Sequence, residues 1–224
     1  MRKIAIINRY KGSVDWTNKL NFEYIIYNKL DPLISSQYYK TDQENTQEYY
    51  KRLFSVPGFL EIMRPKSPDL NLVTNVGHDA STFFYHIVNN FEDLADINIF
   101  LHENPFHHYH NGDFIQMLNG LNEIPDYMDW GQIMLSDRDG GPTDRCPVGD
   151  VFHHLFPDQE VPDSYTFVSG SLFALSKASI HRLGIKFFKT CIKVTETEPL
   201  APWAFERLYF RIFTETKPNA GLVI

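Results

Sequence analysis

Two apolar runs constrain this chain more than anything else in it. Ile4-Ala5-Ile6-Ile7 and the stretch from Ile97 to Leu101 lack the polar alternation of a strand with one wet face. A strand that is apolar on both faces must be covered on both, as in a sheet flanked by helices. Between the runs the period changes. Apolar or aromatic residues recur at 80, 83, 84, 87 and 88, which predicts a helix over Asp79 to Asn90. Asp79 falls in its first turn, where the helix dipole favours a carboxylate.

The same reading predicts strands at 22–28 and 72–73, and a strand pair, or one strand bulged at Gly170, across 165–176. Helices are predicted over 113–121, 176–184, 186–194 and 202–213. Ser176 is the N-cap and Gly184 the C-cap of the second of these. The Gly-, Pro- and Asp-rich stretch 136–150 reads as loop, and the Tyr-rich stretch 31–59 as polar with one short helix. No repeat or linker divides the chain. The expectation is a single α/β domain over residues 1–224, with a mostly parallel central sheet flanked by helices.

Composition narrows the function. A net charge of -7 with scattered Lys and Arg argues against a nucleic-acid partner, which a basic patch would betray. The two cysteines, Cys146 and Cys191, supply neither a disulfide framework nor a CxxC metal pair. The run Ile4 to Ile7 is too short for a leader or a membrane span, so a cytoplasmic protein with no transmembrane segment is expected.

In open α/β sheets, ligands bind at the carboxyl ends of the strands. Three features should then share one edge: the loop Asn8, Arg9, Tyr10; the turn Asn75-Val76-Gly77; and the triplet His102-Glu103-Asn104. An N-x-G turn, a helix and an apolar strand ending in a polar triplet is an order similar to the nucleotide-sugar-binding half of GT-A-type glycosyltransferases. There the triplet is D-x-D, and its carboxylates hold a divalent metal on the diphosphate. The segments 7-INRYKGSVDW-16, 25-IIYNK-29, 75-NVGHDASTFFYHIVNNFEDLAD-96, 99-IFLHENPFHH-108, 170-GSLFALSKASIHRL-183 and 203-WAFERLYFRIF-213 resemble, in that order, an uncharacterised domain family that itself looks like a divergent GT-A transferase. Where that family shows N-x-G-R-E, this chain has His78-Asp79 after the glycine. Where it shows R-Y-N-E, this chain has Arg9-Tyr10-Lys11-Gly12.

The resemblance implies a GT-A-like (Rossmann-like) glycosyltransferase that moves a sugar from a nucleotide-sugar donor to a hydroxyl of a glycan or small-molecule acceptor. Asn8, Arg9, Tyr10, Asn75, Gly77, Asp79, His102 and Asn104 would hold the donor. Gly170, Ser171 and Trp203 would face the acceptor, and Glu206 would be the base, with Glu196 and Glu198 as alternatives. Glu103 and His102 would hold a divalent cation, manganese or magnesium. Metal-independent catalysis, with Arg9, His107 or His108 offsetting the diphosphate charge, stays open beside it. Asp137-Arg138-Asp139 is literally D-x-D but stands in a Gly/Pro loop. The competing functions are a non-catalytic nucleotide-sugar or glycan-binding protein, and a metal-dependent hydrolase built on 107-HHYH-110.

Overall fold

The computed structural model describes residues 1–10, 12–29, 48, 52, 55, 78–109, 112–141 and 145–215. The strand expected at 72–73 and the turn residues Asn75 and Gly77 lie outside them. Within them the chain runs β1 (Lys3–Arg9), β2 (Glu23–Asn28), α1 (His78–Asn89), β3 (Ile97–His102), α2 (Phe114–Gly120), β4 (Tyr127–Asp129), β5 (Ile133–Asp137), α3 (Val148–Leu155), β6 (Ser164–Val168), β7 (Phe173–Ser176), α4 (Lys177–Leu183), α5 (Ile185–Thr197) and α6 (Ala201–Thr214).

Five strands form one sheet in the order β2-β1-β3-β7-β4, and β5 and β6 form a separate two-stranded ribbon. The unalternating apolar runs are explained by burial on both faces. Ile4 and Ile6 enter a cluster with Phe83, Phe100 and Phe205, while Ala5 and Ile7 enter another with Phe114 and Trp130. Helix α1 turns Ala80, Phe83, Phe84 and Ile87 inward, at the spacing the sequence predicts.

The sheet is mixed rather than mostly parallel. β1 pairs in parallel with β2 and β3, but β7 pairs antiparallel with both β3 and β4. The reason is the direction from which the chain arrives. β7 begins with Phe173 opposite Phe100, near the carboxyl end of β3, and runs away from that end. The segment before it therefore crosses the rim where β1, β2 and β3 finish. Residues 165–176 are two strands in different sheets, β6 paired with β5 and β7 with β3 and β4. Between them Gly170 has φ +101° and Ser171 φ +49°.

Inside 136–150, read as loop, α3 begins at Val148. Its buried Val148, Val151, Phe152 and Leu155 have helical spacing, but Pro147 and Gly149 at its start mask the pattern. Gly149 packs closely on Arg138 and Val161, where an added Cβ would approach both side chains to 3.2 Å. No helix among the described residues is long and apolar enough to cross a membrane.

Candidate functional site

The parallel register sets three strand ends side by side. Asn8 stands opposite His102 on one flank and Tyr27 on the other, so the loops leaving β1, β2 and β3 open at one rim. Glu103 stitches two of them together. Its Oε2 accepts the backbone N–H of Tyr10 at 2.7 Å and of Gly12 at 2.6 Å, and its carbonyl accepts the Trp16 indole N–H at 2.9 Å. Gly12 is needed there, since an added Cβ would lie 2.8 Å from Glu103 Cδ. Arg9 folds back so that its Nε donates to the Gly12 carbonyl at 2.9 Å. Hydrogen bonds to a charged acceptor contribute about 1.5–3 kcal/mol each. Glu103→Ala is therefore expected to lower stability by about 3 kcal/mol or more, read from urea unfolding.

Beneath the rim lies a buried polar network. Asn8 Nδ2 donates to Asp79 Oδ1 in a short hydrogen bond, and Asn8 Oδ1 accepts from the Thr82 hydroxyl at 2.7 Å. Lys29, 2% exposed at the end of β2, donates through Nζ to Ser81 Oγ at 2.6 Å. Burial pushes the Asp79 carboxyl up to about 6, against the pull of its Asn8 hydrogen bond and of Lys29, with Glu206 and Glu103 adding to the rise. Burial pushes the Lys29 ammonium down to about 7, with Asp79 opposing. The coupling of Asp79 to Glu206 and Glu103 places the three acids in one electrostatic neighbourhood.

Above this network is a cleft of about 230 Å³, lined by Asp79, His102, Gly170, Ser171, Trp203 and Glu206 together with His78, Ala80, His108 and Pro202. Seven of the residues singled out from sequence thus share one cavity, His108 among them. Asn8 and Glu103 support it from below and beside it. Asn104 is exposed, and neither it nor Arg9 nor Tyr10 lines the cavity. Gly170 is at its crowded point, since an added Cβ would sit 2.4 Å from His108 Cγ. With φ at +101° as well, Gly170→Ala is expected to destabilise the fold by about 2 kcal/mol or more and to push His108 aside. Thermal unfolding and the His108 ring resonances would read both effects.

The imidazoles of His78 and His102 are held neutral. Burial depresses His78 to about 3, helped by Lys29, and depresses His102 to about 4, helped by His108 and His107. His102 Nδ1 accepts the Asn104 N–H at 3.1 Å, so the ring proton sits on Nε2. That Nε2 is buried with no hydrogen-bond partner among the described residues. His102 and His108 meet edge to face at 5.3 Å. His107 is exposed while His108 lines the cleft, so the adjacent rings diverge.

Glu206 hangs from α6. Its Oε1 accepts the Gly170 N–H at 2.6 Å, and its Oε2 lies 3.6 Å from Arg207 Nη1. Trp203, one turn earlier, meets the His78 ring at 4.6 Å. Glu196 is in α5, and Glu198 caps the turn before α6 by accepting the Leu200 N–H at 2.9 Å. Among the described non-glycine residues, those with left-handed backbone are His78 and Ser171, and both line this cleft. Each such residue costs about 1–2 kcal/mol, and strain of this kind gathers at functional sites.

Glu103 Oε2 is occupied by two backbone N–H groups, and Glu103 does not line the cleft. No group of three or more His, Cys, Asp or Glu among the described residues is placed to hold a metal. Among the described residues, His102 and Glu103 do not by themselves assemble the expected centre. Asp137 closes its own turn, Oδ1 accepting from Asp139 N and Gly141 N, both at 2.9 Å.

Sequence reasoning gave no role to Lys29, although it ends a quoted strand segment. A lysine closing an apolar strand was the available signal. Ala80, Pro202 and the buried Arg207 were likewise invisible as site residues, because small and arginine side chains in a helix carry no mark of the cavity they border.

A family profile described as "Protein of unknown function (DUF3431)" matches residues 13–124. The match spans α1, β3 and the His102 triplet and ends before Gly170, Trp203 and Glu206. No curated protein and no solved structure matches the chain.

Proposed function

From the premise that the chain belongs to the DUF3431 family, whose description assigns no function, we propose that the rim cleft is the active site of a nucleotide-sugar-dependent glycosyltransferase of divergent GT-A type. The acceptor is a hydroxyl of a glycan or small molecule. The observation that carries the reading is the convergence of separate chain segments on one cavity. His78 and Asp79 come from the start of α1, His102 from the end of β3, Gly170 and Ser171 from the turn before β7, and Trp203 and Glu206 from α6. The strained backbone at His78 and Ser171 supports it, since both residues border that cavity.

In the chemistry, the acceptor oxygen bonds to the anomeric carbon of the donor as the bond from that carbon to phosphate breaks. The acceptor proton passes to a base, and the nucleotide diphosphate leaves with the bonding pair. Glu206 is the carboxylate placed for the proton, presented by a helix and steadied by the Gly170 N–H. His102 lines the cleft, and its Nε2–H, buried without a hydrogen-bond partner among the described residues, becomes a donor to the leaving oxygen when the ring turns toward the ligand. Trp203 and Ser171 wall the acceptor side. Asp79, fixed by Asn8, accepts a sugar or ribose hydroxyl.

One observation favours a second reading. Both carboxylate oxygens of Glu206 are already engaged, and the expected metal carboxylate Glu103 is tied to backbone, which suits a protein that binds nucleotide sugars without turning them over. Incubation with UDP-, GDP-, CMP- and dTDP-sugars separates the two. Release of the nucleotide, as UDP, GDP or dTDP or as CMP from a CMP-sugar, supports transfer or donor hydrolysis, stabilisation without release supports binding alone, and no response to any donor overturns both.

A further inference from the structure

The literal D-x-D of the sequence, Asp137-Arg138-Asp139, does not line the cleft, yet the structure ties it to Glu206 in three steps. Asp137 closes its turn by accepting two backbone N–H groups. The turn is tight. Gly140 sits at φ +82°, and a Cβ on Gly141 would lie 3.0 Å from Asp137 Oδ2. In that form the Gly140 carbonyl accepts from Arg207 Nη2 at 3.4 Å. Arg207 Nη1 in turn donates to the Trp203 carbonyl at 2.8 Å and lies 3.6 Å from Glu206 Oε2. Phe167 of β6 stands against the guanidinium, its ring centroid 5.0 Å from Arg207 Cζ.

Position 207 is an expensive place for a charge. Arg207 is 2% exposed, on a helix whose neighbouring inward residues are Ala204, Phe205 and Leu208. Packing alone would be served as well or better by an apolar side chain there. Successive residues on a helix diverge by about 100°, so the stem of Arg207 enters the core while Glu206 reaches the cleft. The two charges meet because the guanidinium turns back along the helix to the Trp203 carbonyl. The arginine therefore adds a fixed positive charge behind Glu206, whose other oxygen is held by the Gly170 N–H at 2.6 Å. The remaining titratable groups around Glu206 are His78 and Asp79 from α1, His102 and His108 from the end of β3 and the loop after it, and Tyr209 from α6. Asp79 and Glu206 oppose each other's ionisation, and Lys29 acts on the Asp79 side of the pair. Resting on the reading of Glu206 as the base of the cleft, we propose that Arg207 is the positioning residue that holds Glu206 as an aimed carboxylate, and that the Asp137–Gly141 turn is the seat that holds Arg207.

The midpoint of the Glu206 carboxyl titration in the full chain, read from its ¹³C resonance and assigned with Glu206→Gln, tests this directly. Arg207→Met keeps an apolar stem against Phe167 and removes the charge. Its Glu206 midpoint is expected to rise by about 1 unit or more, since an opposite charge within about 4–6 Å moves a carboxyl by about 1–3. Arg207→Lys keeps a charge and should hold the midpoint nearer the parent's. A merely structural arginine predicts no movement in a folded variant. Asp137→Ala opens the turn from its exposed side and is the second variant, should Arg207→Met not fold. Asp139→Ala removes the same charge from the same turn and leaves the Asp137 hydrogen bonds in place. Deleting an acid can only lower the midpoint of a neighbouring carboxyl or leave it. A higher midpoint in Asp137→Ala than in Asp139→Ala is therefore the mark of a lost seat. A midpoint unmoved in folded Arg207→Met, or no higher in Asp137→Ala than in Asp139→Ala, would overturn the proposal. Its failure is separable from that of glycosyl transfer, because the titration needs no donor. A raised midpoint in a protein that releases nucleotide from no donor sinks the transfer alone. An unmoved midpoint in a protein that turns donors over sinks the positioning role alone.

Discussion

Glu206→Gln is expected to lower sugar transfer by about 10²–10⁴-fold, the span that general-base catalysis contributes, while leaving donor affinity within a few-fold of the parent. The substitution is nearly isosteric. A glutamine Oε1 still accepts the Gly170 N–H, now 2.6 Å from the carboxylate, so the turn that carries Ser171 should hold its shape. What is lost is the capacity to take the acceptor's proton, together with the carboxylate charge that faces Arg207 Nη1 at 3.6 Å. A stopped assay for released nucleotide diphosphate, run beside thermal unfolding of both proteins, separates chemistry from folding. Parental turnover in a folded Glu206→Gln protein would remove Glu206 from the mechanism.

Acid is expected to unfold this protein through buried imidazole. His86 is 2% exposed, packed between Tyr27 and Phe100, with its Nδ1 3.0 Å from the Tyr27 hydroxyl. Burial, helped by Arg2, depresses it to about 4 from an ordinary 6.5. The folded pKa lies below the unfolded one, so the unfolded state binds the proton first. Stability is then full above pH 6.5 and is lost as pH falls from there to about 4. At about 1.4 kcal/mol per unit, His86 alone accounts for a loss on the order of 3 kcal/mol. His78 and His102 carry the same sign. Asp79 has the opposite sign: its folded pKa is raised from 3.8 to about 6, so acidification through that window favours the fold and offsets part of the loss. His86→Gln keeps an acceptor for Tyr27 and removes the proton site. Urea titrations from pH 7 to pH 4 should show the slope of stability against pH fall by about one proton in the variant. An unchanged slope would mean that His86 is not the acid-sensitive group.

Much of this fold was legible in the chain because burial on both faces leaves an unbroken apolar run. Ile4 to Ile7 and Ile97 to Leu101 therefore declared β1 and β3, and the spacing at 80, 83, 84 and 87 declared α1. Short elements were harder to read. β4 is three residues long, too short to show a period, and α3 starts among the prolines and glycines of an apparent loop. The sense of β7 was not legible at all, because strand direction depends on which rim the chain crosses first, and no residue of Phe173–Ser176 encodes that.

The candidate site divides in the same way. Asp79 and His102 were accessible because they stand at the start of α1 and the end of β3, Gly170 and Ser171 because a glycine marks the turn between β6 and β7, and Trp203 and Glu206 because they lie in the first two turns of α6. Glu103 has a structural part that its sequence position does not announce: a carboxylate at the D-x-D position resembles a metal ligand, and its Oε2 accepts two backbone N–H groups of the β1 loop. Lys29 and Arg207 escaped notice because a buried cation looks in sequence like any exposed one. Only tertiary packing shows that both stand behind the cleft wall.

The most direct test of the rim cleft as a nucleotide-sugar site is a map of amide and indole chemical-shift changes as UDP-, GDP-, CMP- and dTDP-sugars are titrated into the ¹⁵N-labelled chain. The account predicts that one nucleotide class moves the Gly170 and Ser171 amides and the Trp203 indole, and leaves the β5–β6 ribbon and α5 unmoved. Shifts confined to residues far from the carboxyl ends of β1 and β3, or no shift with any donor, would contradict it.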